Sequence, residues 1–241
     1  MYRNKKFYDV KYKDADDYDN LKPSALLSFM EESACLSADE LGFGYEDIKY
    51  KNLGFIISNW YFDFEKPVKL GDKLEIHTWP LKTGKIIFLR DFELFVNGEK
   101  VGVASSRWCM VDTETFEIKP TSAFFADGFF EGYNTERSVD FKAWKLPVLE
   151  NAMPVYSRTV RYSDYDHYFH ANNTKYADYV MDVISVEEFK DKHLKSFQIT
   201  YVKQCKFGDK VDFYREARDG AILVEGRCCG ELRVQAKLVI E

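Results

Sequence analysis

The chain has 241 residues, of which 46% are hydrophobic, 17% aromatic and 31% charged. This composition is too apolar for a disordered protein, and no run approaches the ~18 apolar residues of a membrane helix. A net charge of −6 without a dense basic cluster argues against nucleic acid as a partner. Five scattered cysteines, no Cys-x-x-Cys pair and no signal-like apolar run near the N-terminus are typical of a reducing compartment. We therefore expect a soluble, cytoplasmic, globular protein without a disulfide framework.

The first half of the chain reads as a strand, a helix and four more strands. Residues 5–13 alternate as a strand does, and a helix is predicted that begins at Pro23 and ends before Gly42. The dipeptide Asn97-Gly98 predicts a hairpin. Runs rich in β-branched and aromatic residues predict the four strands at 55–66, 73–82, 85–96 and 100–112.

The same order of elements returns after an irregular stretch at about 121–153. A strand is predicted at 158–162 and a helix at about 173–189, and four strands follow at 196–207, 209–217, 220–229 and 231–240. The segment KPVKLGDKL (66–74) lies over KQCKFGDKV (203–211) at an offset of 137, whereas the helices are offset by about 150. We infer a duplication, in which the first half carries about 13 extra residues (150 − 137) after its helix.

A strand, a helix and an antiparallel meander follow each other in the order of a hotdog domain, by analogy of topology. We therefore expect an α+β fold, a tandem (double) hotdog with two antiparallel sheets that each wrap around a long helix. The expected boundaries are 1–130 for the N-terminal hotdog domain, 131–153 for a linker and 154–241 for the C-terminal hotdog domain.

The densest polar cluster of the chain is RYSDYDHYFHANN (161–173). If this segment is extended, Asp166, Tyr168 and His170 share one face at ~6.6 Å intervals. The second helix would begin just after His170, with Asn172 or Asn173 as its N-cap. Its free N–H groups and positive dipole would suit an oxyanion or a polarised carbonyl. Ordinary turn and cap chemistry explains the same residue types equally well.

The duplication favours a single site in each chain. At the helix offset of 150, Asp166 matches Asp16, but Asn20 stands where His170 does. The first copy keeps the acidic turn without the histidine. We therefore expect the site in the second half, with the first half free to form the wall of a pocket.

These segments resemble the acyl-acyl carrier protein thioesterases of plants and bacteria, which are double-hotdog proteins. The resemblance covers nearly the whole chain and is carried by MEESA (30–34), KPVKLGDKLEIHTWP (66–80), RDF (90–92), SRW (106–108) and SDYDHYFHANNTKY (163–176). It implies hydrolysis of the thioester between a fatty acyl chain and the phosphopantetheine of acyl carrier protein. The N-terminal domain would then be the acyl pocket half and the C-terminal domain the catalytic half. No cofactor or metal cluster is visible in the sequence.

The resemblance also implies site residues. The family motif runs Asp-x-Asn-x-His-x-Asn-Asn, and a glutamate followed by cysteine comes 34 residues after the histidine, a spacing that this chain keeps. On this chain the aspartate is Asp166 and the histidine is His170, whereas Tyr168 stands for the asparagine and Gln204 for the glutamate, with Cys205 after it.

The two departures bear on mechanism. Glutamine has no basic form and can only orient water, so a general base at position 204 is lost. We interpret the site as water attack polarised by His170 and Gln204, with Asp166 or His170 as the remaining bases. The change Gln204→Glu would then raise the rate. Thiolate attack by Cys205 with help from His170 is a second mechanism, although a cysteine in a strand is more often a buried apolar residue.

Acyl carrier protein is acidic, so a docking surface should be locally basic. Basic residues gather near the site in sequence: Arg158, Arg161, Lys190, Lys192, Lys195, Lys203 and Lys206. The excess of aromatic residues has a second use beyond the core, because rings can line an acyl tunnel. The rings considered for this are Phe62, Phe64, Phe88 and Phe92.

Two alternatives stay open. The first is another hotdog enzyme, either an acyl-CoA thioesterase or a dehydratase. The second is a non-catalytic acyl-binding or regulatory protein that kept the pocket and lost the base. A homodimer also stays open, because a double hotdog already contains its own pair of domains.

Overall fold

The computed structural model describes residues 2–82, 84–126, 132–150, 152–166 and 169–241. The first half contains β1 (Asn4–Asp9), α1 (Pro23–Glu40), the short α2 (Tyr45–Ile48), β2 (Leu53–Phe64), β3 (Lys73–Pro80), β4 (Ile87–Val96), β5 (Glu99–Asp112) and β6 (Ile118–Lys119). The second half contains β7 (Pro154–Thr159), α3 (Asn173–Met181), β8 (Leu194–Tyr201), β9 (Lys210–Arg218), β10 (Ala221–Cys228) and β11 (Glu231–Ile240). The predicted order of strand, helix and meander is therefore present twice.

The strands form one sheet where two were expected. Its order is β1-β3-β4-β5-β2-β8-β11-β10-β9-β7, with β6 beside β5. The halves join where β2 pairs antiparallel with β8, for example through Trp60 with Ile199 and Phe62 with Phe197. This pairing satisfies the backbone of two strands that would otherwise be exposed edges.

The long helices of the two halves, α1 and α3, pack on each other and on the sheet. The apolar face of α1 is buried through Leu26, Leu27, Met30, Ala34 and Ala38, at about 1.5–3 kcal/mol for each fully buried large side chain. Helix α3, which was predicted at about 173–189, is shorter than predicted. It ends at Met181, and a 3₁₀ turn covers Val186–Phe189. The guanidinium of Arg215 donates to the Val183 carbonyl at 2.9 Å, which holds the chain after the helix end.

The duplication is visible in individual backbone hydrogen bonds. In both halves the same N–H and C=O groups pair at the offsets of 150 and 137: Val10 N to Asp72 O and Val160 N to Asp209 O, Gly71 N to Val10 O and Gly208 N to Val160 O, Leu21 N to Val68 O and Ala171 N to Cys205 O. The extra residues of the first half contain α2 and the 3₁₀ turn Lys49–Lys51.

Residues 132–150 have no helix or strand and run across the sheet from the first half to the second. Side chains of successive strands hold this segment. The buried carboxylate of Asp91 on β4 accepts from Arg137 Nε at 2.8 Å and from Ser138 N at 2.9 Å, and Gln198 Nε2 on β8 donates to Ala143 O at 3.0 Å. Within the described ranges, no helix has the length and apolarity needed to cross a membrane.

Candidate active site

Backbone hydrogen bonds join the described residues Asp166, Phe169 and His170 of the predicted polar cluster, in front of α3. The N–H of Asp166 donates to the carbonyl of His170 at 3.1 Å, and the N–H of Phe169 donates to the carbonyl of Asp166 at 3.2 Å. Phe169 closes the turn with φ of 62°, in the left-handed region. Tyr168, which was predicted to share a face with Asp166 and His170, lies outside the described residues.

His170 stands two residues before the N-cap of α3, as predicted. Its Nδ1 is buried and has no hydrogen-bond partner among the described residues. The ring meets Phe116, from the turn between β5 and β6, edge to face at 5.1 Å between centroids. A buried ring nitrogen without a structural partner is available for a proton transfer or a bond to substrate.

The N-terminus of α3 is built from the two predicted asparagines. Asn172 is the N-cap, and its Oδ1 accepts from Thr174 N at 2.9 Å and Thr174 Oγ1 at 2.7 Å. Asn173 is the first helical residue, and its carbonyl accepts from the Tyr201 hydroxyl at 2.9 Å. Asn173 turns its amide away from the cap and toward the first half of the molecule, where Nδ2 lies 3.1 and 3.0 Å from the two carboxylate oxygens of Glu31.

Glu31, on α1, is a site residue that reasoning from the sequence missed. Burial raises its pKa, the hydrogen bond from Asn173 lowers it, and the charge of Asp166 raises it further. The sequence does contain a signal, because Glu31 lies four residues after Leu27 and three before Ala34, on the buried stripe of α1. A carboxylate on an apolar stripe needs a partner, and here the partner is on the other helix.

Gln204 and Cys205 lie on the connection between β8 and β9. The Gln204 side chain is exposed, and only its backbone carbonyl has a bond to a described residue, from Arg233 Nη1 at 3.4 Å. Cys205 is fully buried, its N–H donates to the Tyr176 hydroxyl at 3.0 Å, and burial raises the pKa of its thiol. At the offset of 137 its counterpart is Val68, which is also buried.

The first half contains the corresponding turn at Asp16–Asn20, whose polar side chains are hydrogen-bonded to neighbouring residues. Asp16 Oδ1 accepts from Tyr18 N and Asn20 N, both at 2.9 Å, and Asn20 Oδ1 accepts from Lys69 Nζ at 2.6 Å. Its helix begins at Pro23, which offers no N–H. The first copy therefore satisfies its polar atoms internally, which agrees with a single site per chain.

An apolar cavity of about 330 Å³ lies in the first half and reaches Glu31. One wall is a stripe of α1 formed by Ala34, Cys35 and Ala38. The other walls come from the extra segment after α1, from strands β2 to β5 and from Phe125, which follows β6; they include Phe43, Ile48, Phe55, Phe88 and Trp108. Of the four rings considered for an acyl tunnel, Phe88 lines this cavity. Phe62, Phe64 and Phe92 instead pack in the core between helices and sheet.

Arg90 is the one buried basic side chain of the cavity wall within the described residues. It donates from Nη1 to Ser37 Oγ at 2.8 Å and to Thr78 Oγ1 at 3.2 Å. Burial lowers its pKa to about 10, so it stays charged at neutral pH.

Comparison with known sequences gives two family matches. Residues 2–123 match the acyl-ACP thioesterase N-terminal domain, and residues 151–230 match the acyl-ACP thioesterase C-terminal domain. The chain is 25% identical over 203 residues to oleoyl-acyl carrier protein thioesterase 1 of Arabidopsis thaliana, covering 78% of this chain and 56% of the relative. It is 28% identical over 181 residues to the palmitoyl-acyl carrier protein thioesterase of the same plant, covering 72% and 43%. The chain thus spans about half the length of these relatives.

Solved structures show the same fold over the whole chain. An acyl-ACP thioesterase from Bacteroides thetaiotaomicron superposes with a TM-score of 0.90 at 22% identity and covers 99% of this chain and 98% of its own. The 12:0-ACP thioesterase from Umbellularia californica superposes with a TM-score of 0.84 at 18% identity, covering 99% and 97%. The predicted double hotdog is confirmed.

Proposed function

Because this chain belongs to the acyl-ACP thioesterase family, we propose that it hydrolyses a fatty acyl thioester of acyl carrier protein to a free fatty acid and the carrier's thiol. The observation that carries the proposal is the place of His170. Its buried Nδ1 has no partner among the described residues, and it stands at the N-terminus of α3, beside the asparagine that contacts the cavity residue Glu31.

In this proposal each half has its own task. The cavity of the N-terminal domain (1–130) would bury the acyl chain, because its described wall consists of residues from Glu31 to Phe125 and most of them are apolar. The C-terminal domain (154–241) would carry the reaction at the start of α3. The linker (131–153) would join them across the sheet.

Water is the attacking group in the proposed reaction. It adds to the thioester carbonyl, and the oxyanion that forms faces the positive end of α3 at Asn172 and Asn173. His170 binds the reacting oxygen or sulfur through its ring, and the Asp166 turn positions it. Collapse of the intermediate breaks the C–S bond, and the thiolate leaves with a proton. A thiolate mechanism at Cys205 is disfavoured by its full burial and raised pKa.

For the carrier protein we propose a docking surface at the open side of this site. Arg161 and Lys206 are exposed and neither forms an ion pair with a described residue, so both are available to an acidic partner. They lie close together, because the N–H of Gly208 donates to the carbonyl of Val160 at 3.0 Å. Other basic residues of the predicted group are already paired: Arg158 with Asp164, Lys195 with Asp63 and Lys203 with Glu231.

Thiol release from acyl-ACP and acyl-CoA of several chain lengths tests the proposal. We expect a higher kcat/KM with the carrier protein, and a smaller difference after charge reversal at Arg161 and Lys206. Turnover of coenzyme A esters alone, or dehydration of 3-hydroxyacyl thioesters, would support another hotdog enzyme. Tight acyl binding without turnover would support a non-catalytic protein.

A further inference from the structure

Glu31 is a carboxylate whose described surroundings leave most of its hydrogen-bonding capacity unused. Among the described residues, Asn173 Nδ2 is its hydrogen-bond partner, at 3.1 and 3.0 Å from the two oxygens, and no lysine or arginine forms an ion pair with it. A carboxylate accepts about four hydrogen bonds. Glu31 therefore retains lone pairs that can take a proton from water.

Two polar atoms just before and at the start of α3 also lack hydrogen-bond partners among the described residues. Asn173 Oδ1 and His170 Nδ1 are both buried and have no hydrogen-bond partner among the described residues. Buried polar atoms are rarely left unpaired without a functional reason. The free acceptor sites of Glu31 and the Oδ1 atom of Asn173, which lie on directly hydrogen-bonded side chains, together offer the two contacts that a bound water molecule needs at least.

The cavity brings substrate to the same place. It follows one stripe of α1 from Glu31 through Ala34 and Cys35 to Ala38, and residues at this spacing share a helix face. Glu31 is at the end of the stripe that contacts α3 through Asn173. An acyl chain lying along the stripe would therefore present its thioester between Glu31 and the N-terminus of α3.

The duplication shows that this arrangement is not part of the basic fold. At the offset of 150, Glu31 corresponds to Met181, Asn173 to Pro23 and His170 to Asn20. The counterpart residues thus include no carboxylate on the helix, no amide at the first helical position and no imidazole before it. If the Glu31–Asn173 pair served only to pack the two helices together, we would expect an equivalent pair at the counterpart positions as well.

We propose that Glu31 is the general base that activates the attacking water, in place of the carboxylate that position 204 lacks. The assignment rests on the proposed thioester hydrolysis. Glu31 removes one proton from water, the oxygen forms a bond to the carbonyl carbon, and the C–S bond then breaks. The departing sulfur takes up the proton, so that water and thioester become carboxylic acid and thiol. The base is supplied by the first half and the histidine by the second.

The charges around Glu31 suit this role. It is faced by Asp166 from the turn before α3, by Tyr201 from β8 and by Cys35 from its own helix. Burial raises the pKa of Tyr201 well above its usual value, so this residue is neutral at pH 7 and adds no charge beside Glu31. Burial and Asp166 raise the pKa of Glu31 itself toward the pH range where a general base works best.

The test compares Glu31→Gln with Glu32→Gln, its exposed neighbour on α1. With acyl-ACP as substrate, we expect Glu31→Gln to lower kcat by ~10²- to 10⁴-fold with little change in KM, and Glu32→Gln to behave as wild type. The acid limb of the pH profile of kcat/KM should be lost in Glu31→Gln and kept in Glu32→Gln. The double variant Glu31→Gln/Gln204→Glu should stay as slow as Glu31→Gln, because the side chain at position 204 is exposed.

A folded Glu31→Gln with wild-type kcat would overturn the assignment of the base and leave the proposed function intact. A large rise in rate with Gln204→Glu would also overturn it, since the base would then belong at position 204. A wild-type protein that releases no thiol from any acyl thioester would contradict the proposed function itself. Thermal unfolding separates loss of activity from loss of fold. Glu31→Gln should be no less stable at neutral pH, because it removes the cost of a buried charge.

Discussion

The side-chain amide of Asn173 binds the carboxylate of Glu31 across 142 positions of the chain, at 3.1 and 3.0 Å. One residue begins the helix of the second half and the other lies in the helix of the first. This contact links the two halves at the place where the apolar cavity reaches Glu31, beside the N-terminus of α3. The predictions below concern this junction and the interactions that hold the two halves in place.

Replacing His170 by asparagine gives the second half the residue that the first half has at the same position. We expect His170→Asn to lower kcat by ~10²- to 10⁴-fold while the protein stays folded, because Asn20 occupies the equivalent turn. The control is His193→Asn, at a position whose backbone pairs with Glu241 away from the site. Equal losses in the two variants would argue against a catalytic role for His170.

Cys205→Ala should keep most of the activity, because the thiol is fully buried and its pKa is raised. The cost in stability is expected to be about 1 kcal/mol, as for removal of one buried group. Cys205→Val copies the buried Val68 of the first half and serves as a second variant. If both variants folded normally and neither released thiol, Cys205 would be the nucleophile.

Filling the cavity from α1 should change chain-length preference. Ala38 lines the cavity, and Ala38→Phe is expected to lower kcat/KM for the longest accepted acyl chain by at least about tenfold, with little effect on short ones. Leu36→Phe adds a similar ring at an exposed position of the same helix and is the control. An unchanged preference in Ala38→Phe would place the acyl chain elsewhere.

Asp91 should contribute strongly to stability by holding the linker. Its carboxylate is fully buried and accepts from Ser105 Oγ at 2.7 Å, Arg137 Nε at 2.8 Å and Ser138 N at 2.9 Å. Asp91→Asn replaces one of the two acceptor oxygens by an amide NH2 and removes the charge that pairs with Arg137, and it is expected to cost about 1–3 kcal/mol. Urea unfolding measures this, with Asp140→Asn in an exposed pair expected to stay within about 0.5 kcal/mol of wild type.

The ion pair of Glu188 and Arg215 should make stability depend on pH. The guanidinium hydrogen bonds lower the pKa of Glu188 to about 2 in the folded protein. The ionised Glu188 therefore contributes to the stability of the fold at pH values above the unfolded pKa near 4.5. This contribution is lost as the pH falls toward 2, where the carboxylate is protonated in the folded protein as well. The difference in Tm between wild type and Glu188→Gln should therefore shrink over this interval. Glu187→Gln, at the exposed neighbour, should show no such trend.

Glu31 should make the free energy of unfolding depend on pH in the opposite direction from Glu188. Its pKa is raised in the folded protein, so the protonated form favours folding, and stability declines as the pH rises through the raised pKa. Glu31→Gln removes this decline. The comparison reports on the surroundings of Glu31 independently of turnover.

The sequence by itself determined the order of the elements, the duplication and the difference between His170 and Asn20. These features are local, since hydrophobic periodicity, turn residues and caps act over a few neighbours. The backbone hydrogen bonds of the two halves match at the same two offsets that the letters give. The face shared by Asp166 and His170 was conditional on an extended segment, and the structure instead joins the two residues by a backbone hydrogen bond from Asp166 N to His170 O.

Only the tertiary structure decided that β2 and β8 join the halves into one sheet, that the segment after α1 walls the cavity, and that Glu31 meets Asn173. Each depends on the packing of residues far apart in the chain. A glutamate on an apolar helix stripe has no visible partner in the sequence, because the partner belongs to another helix. The offset repeat in the sequence pointed to two domains of one kind, and their packing brings Glu31 of the first half to Asn173 of the second.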